Sequence, residues 1–197
     1  MLAGGRGTRF GRGKLLIKLN DNYLLNMVTA KIKTLTDEVI IVTSPEQYDV
    51  VSGICNEERI VTDLIPGKAA MGGIYTGLCT ARNSQCLVVG CDMPLLNLDL
   101  IQYMIKEATN YDIAVPHIAE YVEPLHAIYA KSCLPAMYQM MSRDNLQLYT
   151  LFKMVNTRYV DSEEIEKFDP QHLSIFNINT QESLARAREI LGSIPHD

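Results

Sequence analysis

Two short runs, VIIVT at Val39–Thr43 and CLVVG at Cys86–Gly90, stay apolar and β-branched until a closing Thr or Gly. A strand with one wet face alternates polar and apolar residues, whereas a run that is apolar throughout must be covered on both sides. That is the setting of a parallel strand inside an α/β sheet. Amphipathic helical stripes alternate with these runs. Tyr23–Leu35 lines up Leu24, Leu25, Val28, Ile32 and Leu35, and Leu98–Thr109 does the same with Ile101, Ile105 and Ala108. Further strands are predicted at Arg59–Thr62, Asp112–Pro116, His126–Ala130 and Ile175–Ile178. Further helices are expected from about Gly72 to Asn83, over Cys133–Met141, and over Thr180–Leu191 with Thr180 as N-cap. Met137, Met140 and Met141 read as core filler on the second of these. The alternation predicts an α/β fold: a doubly wound, mostly parallel sheet with helices on both faces, in one domain over 1–197.

Composition removes several classes of function. No apolar run approaches the roughly 18 residues of a membrane span, and the start lacks the apolar core of a signal peptide, so the expected location is the cytoplasm. Five cysteines form no CxxC pair and four histidines no HxxxH pair, which speaks against zinc ribbons, disulfide frameworks and histidine metal sites. A net charge of −5 speaks against nucleic acid as a partner.

Against that acidic background the first 15 residues, MLAGGRGTRFGRGKL, stand out. Gly4, Gly5, Gly7, Gly11 and Gly13 surround Arg6, Arg9, Arg12 and Lys14, and no acidic residue occurs before Asp21. Glycines free backbone N–H groups to face an anion and the cations neutralise it, so the segment is suited to phosphate. It is not a Walker loop, since Thr8 and Leu15 stand where glycine and a hydroxyl residue are needed. Nor is it a dinucleotide fingerprint, since Phe10 replaces the third glycine.

In doubly wound sheets ligands collect beyond the carboxyl ends of the strands. The residues at those ends are the Gly/Arg loop, Thr43 and Ser44, Asp63, and Asp92 in the sequence CDMP. A carboxylate that follows a strand and precedes a proline is placed to hold a hard divalent cation, and Mg²⁺ commonly combines one or two carboxylates with substrate phosphates. Gly72 and Gly73 in GKAAMGGIYTGL are a further place where backbone could approach a ligand closely.

Taken in order, LAGGRGTRFGRGKLL, Asp63, GKAAMGGIYTGL, CDMPLL, EPLHAIY and FNINTQESL resemble the molybdenum cofactor guanylyltransferase family, a branch of the nucleotidyltransferases with a Rossmann-like fold. The resemblance runs nearly end to end. It implies transfer of GMP from GTP to molybdopterin or its molybdenum-loaded form, with Mg²⁺ as cofactor and molybdoenzymes or their maturation proteins as further partners. It implies that Leu2, Ala3 and Gly4 contact the nucleotide, that Lys14 binds phosphate with Arg9 nearby, and that Asp63 helps to bind GTP. Asp92 would bind both nucleotide and Mg²⁺, making Lys14, Arg9 and Asp92 the catalytic set.

The chain departs from the family pattern at Thr43, where asparagine is common, at Ala70-Met71 and at Phe10. Family members also carry several β-forming residues before LAGG, so the first strand is expected to be short here and, if the chain starts at Met1, the phosphate loop weakened. Two alternatives remain open: the same chemistry with CTP or another small-molecule acceptor, and a non-enzymatic nucleotide or pterin binder.

Overall fold

A computed structural model describes residues 1–4, 15–55 and 58–193. A small antiparallel pair, β1 (Lys18–Leu19) and β2 (Asn22–Tyr23), leads into α1 (Leu24–Ile32). Then follow β3 (Ile40–Thr43), α2 (Tyr48–Ile54), β4 (Arg59–Thr62), α3 (Ala69–Thr80), β5 (Gln85–Val89), α4 (Leu98–Glu107), β6 (Ile113–Ile118), β7 (Tyr121–Val122) and β8 (His126–Ala130). The chain continues through α5 (Leu134–Ser142), α6 (Leu148–Met154), β9 (Thr157–Val160), α7 (Ser162–Ile165) and α8 (Gln181–Ser193).

The centre of the sheet is held by the first three residues. Leu2 bridges Val42 on one side and Gly90 on the other, both in parallel. The bonds are Met1 N to Ile40 O, Val42 N to Met1 O, Ala3 N to Val42 O and Leu2 N to Val89 O, each 2.8–2.9 Å, with Cys91 N to Leu2 O at 3.1 Å. The order across the sheet is therefore β4, β3, Met1–Ala3, β5, β8, β6, β9. β8 is antiparallel to both neighbours and every other pairing along this order is parallel, so the sheet is mostly parallel, as expected, with one reversed strand whose direction the sequence reading did not assign. An apolar cavity of about 230 Å³ lies against Met1 between Ile40 and Leu87.

Successive strand residues point to opposite faces, which makes each continuously apolar run bury two helix layers. Val88 packs with α3, α5 and α6 through Met71, Ile74, Met137, Met140, Met141 and Phe152, while Val89 and Ile41 pack with α1, α2 and α4 through Leu25, Val28, Val51 and Ile101. The methionines are core, as expected. Across the far half, α4 and α7 cover Ala114, Ile128 and Val160.

Three expectations are corrected. Ile175–Ile178 is not a strand: Leu173–Ile175 forms a 3₁₀ turn and the chain then runs on irregularly. Its main-chain donors are captured by a side chain, with Leu173 N and Ser174 N bonding the two carboxylate oxygens of Asp169 at 3.0 and 2.7 Å. The helix expected to begin near Gly72 begins at Ala69 and ends at Thr80. Its two glycines serve packing: a Cβ on Gly73 would stand 3.0 Å from Leu2 Cδ2, and one on Gly72 would stand 3.1 Å from Ile65 O. Seven of the described elements, β1, β2, α2, β7, α6, β9 and α7, are missing from the sequence reading because each spans at most seven residues, too few for a clear period. The N-cap of α8 is as read, with Ser183 N donating to Thr180 Oγ1 at 3.1 Å.

Candidate active site

All the described candidate residues lie at one edge of the sheet, where the parallel strands end. At the β3–β4 corner, Asp63 N bonds Thr43 O at 3.0 Å, joining the ends of both strands. Pro45 opens a 3₁₀ turn over Pro45–Gln47 that folds Gln47 back toward Gly4. A Cβ on Gly4 would lie 3.6 Å from Gln47 Oε1 and 3.7 Å from Ser44 N, and one on Gly73 would lie 3.7 Å from Asp63 Oδ1. Thr43 Oγ1, Gln47 Oε1 and Asp63 Oδ1 are all buried and none has a hydrogen-bond partner. Burial, and then the charge of Glu46, raises the Asp63 pKa above the usual carboxylate value. Three unpaired polar atoms at one corner cost free energy until something bonds them, which marks the corner as a place for a ligand.

Of the other candidates here, Leu2 is committed to the fold. Its N–H and C=O are both bonded, to Val89 and Cys91, and its side chain packs on Gly73. Ala3 is fully buried and Gly4 is exposed beside Gln47.

One strand further along, Asp92 follows β5. It is only 8 % exposed, and its carbonyl accepts Ile178 N at 2.9 Å, which ties the segment before α8 to the site. Its carboxylate curls over Gly90: a Cβ there would stand 2.4 Å from Oδ1, so this position admits only glycine with the carboxylate in place.

Beyond β5, the β7–β8 connection carries Glu123, which is 4 % exposed. Its Oε2 accepts Tyr121 Oη at 2.5 Å and Asn177 Nδ2 at 3.0 Å, and its Oε1 accepts Leu125 N at 3.0 Å. Burial, the bond to Glu123 and the charges of Glu123, Tyr149 and Asp92 all push the Tyr121 phenol well up, so it stays protonated as a donor. His126 is fully buried with Nε2 2.6 Å from Ser174 Oγ, and burial lowers its pKa to about 4. Glu123 and His126 of EPLHAIY therefore brace the C-terminal segment against the sheet.

Leu2, Ala3, Gly4, Asp63 and Asp92 are thus gathered along one edge, while Arg9 and Lys14 lie outside the described residues. Sequence reasoning missed Gln47, which carries no motif, and the roles of Tyr121 and Glu123. Only Glu123 had a signal, its place in EPLHAIY.

The profile of the MobA-like NTP transferase domain matches residues 1–158. The chain belongs to this family. Among relatives, a probable molybdenum cofactor guanylyltransferase of Peptoclostridium acidaminophilum is 33% identical over 96% of this chain and 87% of its own length. One from Pelotomaculum thermopropionicum is 33% identical over 95% and 90%. Among solved structures, molybdopterin-guanine dinucleotide biosynthesis protein A of Archaeoglobus fulgidus superposes with a TM-score of 0.86 at 28% identity, covering 98% of this chain and 97% of that one. A 4-diphosphocytidyl-2C-methyl-D-erythritol synthase of Anaerococcus prevotii, at TM-score 0.71 and 14% identity, shares the fold over 97% and 95% of the two chains. The protein is an NTP transferase with the Rossmann-like α/β fold of that family.

Among the described residues, no three His, Cys, Asp or Glu side chains gather into a metal cage, and no helix is long and apolar enough to cross a membrane. The Asp92 carboxylate, cradled by a glycine at a strand end, fits a cation that takes its remaining ligands from phosphate and water.

Proposed function

We propose that this chain transfers GMP from GTP to molybdopterin or its molybdenum-loaded form, releasing pyrophosphate. The names of the relatives support the reaction, and the β3–β4 corner supports the base. Guanine presents adjacent N1–H and 2-amino donors on one edge, whereas cytosine offers one amino donor beside two acceptors. A corner whose unpaired atoms are a carboxylate oxygen, an amide oxygen and a hydroxyl complements the guanine edge. That observation carries the choice of GTP over CTP.

In this reading Asp63 and Gln47 hold the base, Ala3 and Gly4 let it approach the main chain, and Leu2 supports them as the central strand. Lys14 and Arg9 neutralise the triphosphate. Asp92 is the ligand of Mg²⁺, which when bound supplies positive charge against the phosphate oxygens. The attacking phosphate of molybdopterin has a second pKa of about 6 and is already anionic at neutral pH, so no side chain need deprotonate it. The task of the residues is to align two anions and to shield their repulsion. The reading puts the reaction in the cytoplasm, with molybdoenzymes or maturation proteins receiving the product.

The test is pyrophosphate release with Mg²⁺ and molybdopterin, comparing GTP with CTP. Release with GTP alone is expected, a preference for CTP overturns the base assignment, and no release with either overturns the enzymatic reading. Lys14→Ala should lower turnover by about two to three orders of magnitude, the scale for loss of one electrostatic donor. Turnover within threefold of the parent would remove Lys14 from the site. Gln47→Ala should raise the KM for GTP while leaving that for molybdopterin unchanged.

A further inference from the structure

The loop that carries Asp92, residues 91–96, is buried along its length and is held at both ends. At the Asp92 end, Cys91 N bonds Leu2 O at 3.1 Å and Asp92 O accepts Ile178 N at 2.9 Å. At the other end, Leu96 O accepts Lys31 Nζ at 3.0 Å and Asn97 N donates to Ser174 Oγ at 2.8 Å, while Asn97 Oδ1 caps α4 by accepting Leu100 N at 2.9 Å. Ser174 and Ile178 stand four residues apart in the irregular segment before α8, so one short stretch of chain grips the loop twice.

The grip of Ile178 is made by the main chain and is open to any residue with an N–H, whereas that of Ser174 needs its hydroxyl. Ser174 is fully buried, its Oγ also lies 2.6 Å from Nε2 of the fully buried His126, and its N–H bonds Asp169 Oδ2 at 2.7 Å. A buried hydroxyl is costly unless it is bonded, and a buried polar group with its partners in place fixes one arrangement where apolar contacts tolerate several. Ser174 Oγ is therefore a fixed point shared by β8, the start of α4 and the segment before α8. With Pro94 restricting φ in the middle of the loop, freedom at Asp92 depends on whether the Asn97 end is held.

We propose that Ser174 is a positioning residue for Asp92: by holding Asn97 N beside His126 it fixes the far end of the loop and keeps the Asp92 carboxylate in its place over Gly90, aimed at a divalent cation. This role rests on the reading of Asp92 as the ligand of that cation, and Ser174 acts through the loop without touching the cation or the nucleotide. Hydrogen-bond partners of metal ligands are worth about 10–100-fold in metal affinity, and Ser174 stands one step further out, so its loss should weaken cation binding about tenfold.

The probe is Mn²⁺, which takes the same oxygen ligands as Mg²⁺ and whose free ion is read by electron paramagnetic resonance, titrated into the full chain with saturating GTP. Metal-free GTP binding is measured separately, and every variant is compared at a temperature at which circular dichroism shows it folded. Ser174→Ala is expected to raise the Kd for Mn²⁺ about tenfold and to bind metal-free GTP as the parent does. Ser174→Cys, close in size but a weaker hydrogen-bond partner, is expected to raise it about threefold and carries the test if Ser174→Ala does not fold. Asp92→Asn is the control. If it loses Mn²⁺ while the Ser174 variants bind the ion as the parent does, the positioning role is overturned and the reading of Asp92 stands. If it binds Mn²⁺ unchanged, or the parent binds none, that reading falls and the role with it. Loss of metal-free GTP binding in the Ser174 variants, in step with Mn²⁺, makes Ser174 a residue of the fold alone and overturns the role as well.

Discussion

At the scale of single residues, a buried histidine and a buried glycine connect the fold to its chemistry. His126 is enclosed and its pKa is lowered to about 4 by burial, against roughly 6.5 in an unfolded chain. The unfolded chain therefore binds the extra proton first as pH falls. The stability that neutral His126 contributes is fully present above pH 6.5 and is lost through the window down to 4, by about 2 kcal/mol between pH 7 and 5. Urea unfolding at those two pH values measures it, and His126→Gln should flatten the slope by that amount. Gly90 is the second case. The Cβ of Gly90→Ala would occupy the space of Asp92 Oδ1, the far end of a side chain that can rotate away. Gly90→Ala should therefore fold, with a melting temperature within a few degrees of the parent, and lose most of its activity. Equal losses of folding and activity would make Gly90 a packing residue only. Asp92→Asn should shift the Mg²⁺ titration of activity to higher concentration, and an unshifted curve would dismiss Asp92 as the metal ligand.

At the scale of elements, short pieces with little local preference are held by side-chain networks. Arg158 on β9 bonds Glu107 at the end of α4 with Nη2 at 2.8 Å and Nε at 3.0 Å, and also bonds Glu164 in α7, which accepts Tyr103 Oη as well. Burial alone would raise the Glu164 pKa, but Arg158, Tyr103 and the Asp161 N–H outweigh it and bring it down to about 2. A capping box between Asp161 and Glu164 starts the four-residue α7. Arg158→Met leaves two carboxylates facing each other without their cation, at side-chain exposures of 32% and 15%. It should cost about 1–3 kcal/mol in chemical denaturation, between the values for exposed and buried pairs. None of this is legible as periodicity, which is why β9 and α7 escape a reading based on pattern. The opposite error at Ile175–Ile178 has the same cause, since two isoleucines and a phenylalanine suggest a strand while Asp169, four and five residues before its bonded N–H groups, decides the turn.

At the scale of the whole molecule, the mostly parallel sheet sets its two ends far apart. Four strand spacings lie between β3 and β6, roughly 19 Å at about 4.8 Å each. Sites that far apart without shared partners act independently, so the effects of Gln47→Ala and of Arg158→Met, on β9 beyond β6, on the free energy of unfolding should add within about 0.5 kcal/mol. A larger coupling in the double-mutant cycle would mean that the two ends communicate through the sheet. The amino-acid sequence by itself determined the α/β class, the central strands and the Asp63 and Asp92 positions at their ends. Those follow from local pattern, since a doubly apolar run must be covered twice and a carboxylate after it must sit at the edge. Tertiary structure alone decided that Gln47 stands beside Gly4, that Glu123 joins Tyr121 to Asn177, and that Tyr149 of α6 reaches the β6–β7 hairpin at Glu120. These residues are far apart in the chain and carry no periodic signal. Only the order in which strands pair brings them together, and that order is set by the combined burial of both faces of the sheet.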